Sequence, residues 1–129
     1  MSKPILTAIV PQLFVSDLGA ACEFFTTKLG FTIDFLYGDP PFYGQVSRDG
    51  AALSLRHVDR PIRRQLSAAM QADVDMLAAS ITVDDVKVLH AEFQAAGAPF
   101  HQTLRTEPWG AETFIVTDPD GNLLLFAGS

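Results

Sequence analysis

The chain has 129 residues, of which 48% are apolar and 19% are charged, so it is predicted to fold as a globular protein rather than remain disordered. Its net charge of −6 argues against nucleic acid or an anionic membrane as a partner and favours cationic ligands. Cys22 is the only cysteine, and no N-terminal segment resembles a signal peptide. These features exclude a disulfide framework and favour a cytoplasmic setting.

The first half is predicted to contain five elements in the order β, α, β, β, β. Ser16 or Asp17 caps the helix, its apolar residues recur at spacings of three, four and seven, and Gly30 ends it. The strands are predicted over residues 7–15, 31–37, 42–48 and 51–56. Pro11 suggests that the first strand lies at a sheet edge or contains a bulge.

Residues 57–76 break this pattern and are predicted to form a linker. A short helix is predicted within them, around residues 65–71. The arginines at its start, Arg60, Arg63 and Arg64, are typical of a solvated connector. The alternative is that they form salt bridges with the acidic body of the protein or with a partner chain.

The second half repeats the order of the first. Asp84 or Asp85 is expected to cap its helix and Gly97 to end it. Its strands are predicted over residues 77–83, 99–103, 112–117 and 123–126. The landmarks Ser16, Gly30 and Gly50 recur at Asp84, Gly97 and Gly121, with offsets of 68, 67 and 71 residues. A nearly constant offset indicates a tandem duplication.

The closing hairpin, residues 108–129, contains a strand without a polar residue on either face, residues 123–126. An antiparallel hairpin usually packs one face on the core and exposes the other to water. The second face is therefore expected to be covered by a helix, a partner chain or a ligand.

Several motifs carry a family resemblance, namely VSDL and FFTTKLGF around the first helix, VDDV and AAG around the second, and PWGAETFIVTDPDGNLLLF at the end. The chain resembles the vicinal oxygen chelate superfamily of glyoxalases, extradiol dioxygenases and bleomycin-resistance proteins, and most of all the last group. This resemblance implies an α+β fold of two tandem βαβββ modules, which form a cupped mixed sheet with the helices outside. It implies one domain over residues 1–129, with modules at about 5–57 and 77–129 and a linker at about 58–76.

The enzymes of this superfamily hold a divalent metal with inward-facing His and Glu side chains. Aligned through the motifs, the expected ligand positions are Val10, Ser54, Ala78 and Leu125, none of which is an imidazole or a carboxylate. The three histidines, His57, His90 and His101, are spread over a linker, a helix and an edge strand and do not rebuild a ligand set. Cys22 lies on the apolar face of a helix and is interpreted as a core residue. We therefore predict no metal, no cofactor and no catalytic residue.

Aromatic residues supply the candidate binding site. Trp109 is the only tryptophan, and its indole is either a hydrophobic plug or a stacking platform for a flat ligand. The resemblance favours stacking, because in similar proteins the tryptophan of this motif stacks on the planar part of an antibiotic. A second group of candidates surrounds a Gly-Asp-Pro-Pro turn, and strand alternation predicts that half of it is core: Phe35, Tyr37, Phe42 and Tyr43. Asp39 and Glu112 are the candidate counter-charges for a cation.

Two functions remain at this point. The first is a homodimeric, non-enzymatic protein that sequesters a planar or cationic antibiotic of the bleomycin type in clefts between subunits. The second is a superfamily enzyme, either a lyase, an isomerase or a dioxygenase, with displaced or absent metal ligands. A binder of an unknown metabolite is a further alternative, because fold does not fix function.

Overall fold

The computed structural model describes residues 3–59 and 75–128. The predicted short helix at 65–71 and most of the predicted linker lie outside the described residues. The elements are β1 (Gln12–Val15), α1 (Leu18–Lys28), β2 (Thr32–Gly38), β3 (Pro41–Arg48), β4 (Ala51–His57), β5 (Leu77–Val83), α2 (Val86–Ala95), β6 (Phe100–Thr106), β7 (Glu112–Thr117) and β8 (Leu123–Gly128).

The strands form two four-stranded sheets of the same topology, β1-β4-β3-β2 and β5-β8-β7-β6. In each sheet the first strand of the half pairs in parallel with the last, and the remaining pairs are antiparallel. The predicted α+β fold of two tandem βαβββ modules is thus confirmed. No helix in the described residues is long and apolar enough to cross a membrane.

The two helices begin differently. Asp17 has an extended backbone, and its carboxylate accepts a hydrogen bond from the Ala20 N–H at 3.0 Å, as the sequence predicts. Asp85 occupies the corresponding position of α2 with a left-handed backbone (φ 61°) and makes no side-chain cap bond. At the other ends, Gly30 (φ 72°) and Gly97 (φ 78°) adopt the left-handed conformation that suits glycine.

The strand β1 is shorter than predicted, because residues 7–11 are not part of it. Pro11 has no N–H to donate, although its carbonyl accepts the Ser54 N–H at 2.9 Å. Among the residues before it, Ile5, Leu6 and Ile9 are between 81% and 100% exposed. Periodicity alone does not reveal that this apolar segment lacks a partner within the described part of the chain.

Each sheet buries one face beneath its helix. In the first half, Leu13, Val46 and Leu55 are at most 1% exposed and share a core with Phe25 of α1. In the second half, Phe93 of α2 packs against rings from β7 and β8. Because side chains alternate along a strand, the residues between these core positions lie on the opposite face, here called the open face.

Among residues 3–59 and 75–128, four pairs of residues join the two halves through polar contacts. They run from Ser16 Oγ to Asp120 Oδ1 (2.6 Å), from Asn122 Nδ2 to the Phe14 carbonyl (3.1 Å), from Arg48 Nη1 to Glu92 Oε2 (2.6 Å) and from Lys28 Nζ to the Ala96 carbonyl (3.1 Å). Arg48 also donates to the Leu29 carbonyl at 2.8 Å, so it links a helix end of one half to a helix of the other.

The ion pair between Arg48 and Glu92 should make stability depend on pH. The hydrogen bond from Arg48 is the main cause that lowers the pKa of Glu92. A lowered carboxyl pKa contributes stability that is present above the unfolded-state pKa and lost as the pH falls through the folded-state pKa. Glu92→Gln is therefore expected to cost no more than about 1 kcal/mol at pH 7, because Glu92 is half exposed.

This difference between wild type and Glu92→Gln should close below about pH 4, which urea unfolding at a series of pH values can measure. The exposed Glu23→Gln, which removes one carboxylate of the same kind from α1, provides the control. A gap that widened towards low pH would contradict the assigned role of the pair.

Candidate functional site

The open face of the first sheet contains most of the predicted aromatic residues. The register places Tyr37 opposite Tyr43 and Phe35 opposite Gln45. The ring centroids of Phe35 and Tyr43 are 5.8 Å apart, and those of Tyr37 and Phe42 are 5.6 Å apart with an edge-to-face angle of 84°. We call these four residues the aromatic face. The structure thus brings together four of the seven predicted site residues as two adjoining ring pairs.

The alternation argument for this group is wrong, because none of the four residues is in the core. Phe35, Tyr37 and Phe42 are 43%, 65% and 38% exposed, and Tyr43 is partly buried. All of β2 is exposed. Simple alternation would place the consecutive residues Phe42 and Tyr43 on opposite sides of β3. The pairing of β2 with β3 shifts its register between Tyr37 and Gly38, and the Phe42 ring contacts Tyr37, which is the partner of Tyr43.

A carboxylate that the sequence interpretation missed lies on the same face. Asp34 accepts hydrogen bonds from Gln45 Nε2 at 2.9 Å and Ser47 Oγ at 2.7 Å, which lower its pKa and keep it ionised. The predicted Asp39 lies instead in the exposed turn between β2 and β3. The sequence does not reveal the role of Asp34, because its partners Gln45 and Ser47 are set by the cross-strand register and not by sequence spacing.

Trp109 lies in the loop between β6 and β7 and is 76% exposed. The loop is closed by hydrogen bonds from the Glu107 N–H to the Ala111 carbonyl (2.7 Å) and from the Gly110 N–H to the Glu107 carbonyl (2.9 Å). Gly110 has a φ of 98°, which favours glycine at that position. The indole is therefore held on a short, internally bonded loop with its rings largely accessible.

A polar network that the sequence did not suggest connects Glu107 of this loop to the strands β6 and β7. Glu107 Oε1 accepts from Arg105 Nε and Thr113 Oγ1, both at 2.8 Å, and Gln102 Nε2 donates to Thr113 Oγ1 at 3.1 Å. These bonds, led by the one from Arg105, lower the pKa of Glu107. The register puts Gln102, Arg105 and Thr113 on the open face of the second sheet.

Glu112, the second predicted counter-charge, lies elsewhere. It pairs with Thr106 across the sheet, and its carboxylate is 3.5 Å from Lys87 Nζ of α2. Alternation from the open-face residue Thr113 places Glu112 on the helix side. The structure therefore separates Glu112 from the open face, whereas it places Glu107 there.

The positions expected for metal ligands do not offer a suitable donor set. Of the four expected positions, Val10 lies before β1 and Ala78 lies in β5. Ser54 pairs with Gln12 in the first sheet, and Leu125 pairs with Ser80 in the second. A site of the kind used by superfamily enzymes needs several imidazole or carboxylate ligands converging on one point, which these side chains do not supply. Within residues 3–59 and 75–128, no group of three His, Cys, Asp or Glu residues is arranged to hold a metal ion.

His90, His101 and Cys22 each contact neighbouring side chains or the core rather than one another. The His90 ring packs 4.7 Å from Phe100 and 5.2 Å from Phe114. His101 bonds Asp75 at 2.8 Å. Cys22 is buried, and burial raises the pKa of its thiol, which disfavours the reactive thiolate.

A cleft of about 800 Å³ lies between the two halves on the helix side. Its walls include the turn between β3 and β4, the strand β5 and the α2 residues Val88 and Glu92. None of the seven predicted site residues lines it. The exposed aromatic rings lie on the open face of the first sheet, which makes that face the candidate site for a flat ligand.

Two βαβββ modules, whose four-stranded sheets share one topology, define a class of duplicated α+β folds. The family model of the glyoxalase/bleomycin resistance protein/dioxygenase superfamily matches residues 6–126. The chain belongs to this superfamily, which confirms the resemblance seen in its motifs.

Solved structures of similar chains include both binding proteins and an enzyme. A glyoxalase/bleomycin resistance protein/dioxygenase from Alicyclobacillus acidocaldarius is 27% identical, with a TM-score of 0.75 and coverage of 95% of this chain and 90% of that chain. A bleomycin-binding protein from bleomycin-producing Streptomyces verticillus, solved with copper(II)-bleomycin, is also 27% identical, with a TM-score of 0.74 and coverage of 98% and 99%.

A lactoylglutathione lyase from Agrobacterium tumefaciens is 20% identical, with a TM-score of 0.68 and coverage of 98% and 96%, which supports the shared fold alone. A search of curated proteins finds no match.

Proposed function

We propose that this protein is a non-enzymatic binder that sequesters a planar or cationic antibiotic of the bleomycin type. The observation that carries the proposal is the aromatic face, in which four rings remain accessible on one surface of a folded sheet. Aromatic rings bind flat ligands by stacking and edge contacts, and a cation is attracted to their faces. The bleomycin-binding protein of Streptomyces verticillus has the same fold over nearly the whole chain.

Charge on the open faces supports the cationic part of this proposal. Asp34 is held ionised beside the aromatic face, and Glu107 is held ionised in the loop that carries Trp109. Sequestration requires affinity and no stabilisation of a transition state, so the lack of a suitable donor set at the expected metal positions is compatible with it. The role would be antibiotic resistance.

The proposal includes a homodimer with clefts between subunits. Several large apolar side chains of the first half are exposed: Ile5, Leu6, Ile9, Phe14, Phe35 and Leu36. Large exposed apolar side chains of this kind are candidates for an interface with a second subunit. The buried Cys22, the only cysteine, supports a reducing, cytoplasmic setting.

The direct test is a titration of the protein with metal-free bleomycin, followed by the fluorescence of Trp109 and accompanied by analytical ultracentrifugation. The chain contains one tryptophan, so a saturable change reports on that residue. We expect saturation at one ligand per chain and a dimer in sedimentation. A flat titration of a folded dimer would remove the antibiotic from the proposal.

Trp109→Ala is expected to weaken bleomycin binding about three- to tenfold, because it removes one stacking surface. Calorimetry measures this affinity without the tryptophan signal. The free energy of unfolding should change by less than about 0.5 kcal/mol, since the indole is 76% exposed. Trp109→Phe is the matched control and should retain most of the affinity. Wild-type affinity in Trp109→Ala would show that the indole does not contact the ligand.

A further inference from the structure

Arg56 occupies an unusual place for a charged residue. It lies in β4, an inner strand of the first sheet, with β1 on one side and β3 on the other. Its register partners in those strands are Phe14 and Tyr43. The guanidinium carbon lies 5.1 Å from the centroid of the Phe42 ring. Arg56 therefore lies on the open face against one aromatic ring, with two further aromatic residues beside it in the neighbouring strands.

This cation differs from the other arginines that the structure describes. Arg48 pairs with Glu92, and Arg105 pairs with Glu107. Arg56 takes part in none of the ion pairs formed among residues 3–59 and 75–128. Contact with a ring face holds a guanidinium in place but leaves its N–H donors unused, because those donors lie in the guanidinium plane.

The neighbouring groups favour a particular kind of anion. The Arg guanidinium matches a carboxylate with two parallel hydrogen bonds. Asp34 lies on the same face beside Gln45, which is two residues along β3 from the Arg56 partner Tyr43. Two residues along a strand span about 7 Å, so the Asp34 carboxylate lies close to a group bound at Arg56. It would repel a group that carries several negative charges. A single carboxylate on a flat ring system fits this arrangement best.

We propose that the aromatic face also takes planar aromatic carboxylates, whose carboxylate Arg56 binds while the ring system packs on the aromatic face. The inference rests on the proposed function for the place of the site and goes beyond it for the ligand, because bleomycin itself carries no carboxylate. It also assigns a polarity to the ligand, whose negative group lies at Arg56 and whose positive group, when it has one, lies towards Asp34.

The test compares two probes that differ only in charge, 2-naphthoate and 2-naphthamide, by isothermal titration calorimetry at low salt. Wild type is expected to bind 2-naphthoate about tenfold more tightly than 2-naphthamide. Arg56→Gln should reduce this preference to less than about twofold, because a neutral side chain no longer distinguishes the charged probe from its amide. Arg56→Lys should retain part of the preference, because it keeps the charge but not the bidentate geometry.

Lys87→Gln removes the same charge from the helix side of the second half and is the matched control, in which the preference should persist. Equal affinity of wild type for the two probes would overturn the role of Arg56 while leaving binding at the aromatic face intact. Binding of neither probe would overturn the aromatic face as a site and the role of Arg56 with it. A preference that survived in Arg56→Gln would assign the carboxylate to another group.

Discussion

Replacing Phe93 with alanine is expected to lower the free energy of unfolding by about 3–5 kcal/mol, the cost typical of truncating a buried phenylalanine. Phe93 is fully buried, and its ring meets those of Phe114 and Phe126 edge to face at 5.7 and 5.2 Å. Because α2 holds the second sheet mainly through this side chain and Val86, the cavity would lie at the centre of the second half.

Urea unfolding followed by circular dichroism measures this loss. Val88→Ala on the same helix is the matched control, since Val88 is 61% exposed and should change the free energy of unfolding by less than about 0.5 kcal/mol. A loss below about 1 kcal/mol in Phe93→Ala would mean that the surrounding rings collapse into the space or that the core lies elsewhere.

Asp118→Ala is expected to lower the free energy of unfolding by about 2–3 kcal/mol, because it leaves three partly buried donors without their charged acceptor. The Asp118 carboxylate accepts from the Asp120 N–H at 2.9 Å, the Asn122 N–H at 2.7 Å and Asn122 Nδ2 at 2.8 Å. It is 4% exposed, and burial raises its pKa although these hydrogen bonds lower it in part. Asp120 of the same turn accepts a hydrogen bond from Ser16 of the first half.

Asp118→Asn is the matched variant, because the amide oxygen can keep one part of this set of hydrogen bonds. We expect its loss of stability to be less than half of that in Asp118→Ala. Thermal unfolding of the two variants beside wild type measures the difference. Equal losses would indicate that the charge of Asp118, rather than its capacity to accept several bonds, stabilises the turn.

The sequence was sufficient for the architecture because the signals involved are local. The helix cap at Asp17, the glycines that end both helices and the turn at residues 118–121 depend on neighbouring residues alone. The duplication appears as a constant offset between landmarks. These features predict the order of the elements in both halves, whereas the mixed sheet is implied by the family resemblance.

The composition of the site was harder to predict because it depends on register. The surroundings of Arg56 follow from the pairing of β4 with β1 and β3, which sets it beside Phe14 and Tyr43. Those of Asp34 follow from the pairing of β2 with β3, which brings it to Gln45. Alternation could not show that β2 is exposed on both of its sides. Glu107 was likewise overlooked, since its partners Arg105 and Thr113 come from two strands.

The polar contacts between the halves have a consequence for how the protein loses its structure. Side chains of each half bond the other half at Asp120, Asn122, Glu92 and Lys28, so neither half can unfold without breaking contacts that the other needs. The duplicated modules should therefore melt as one cooperative unit. Any molecule held by one open face will then protect both modules, and a single calorimetric transition will rise in temperature as that molecule is added.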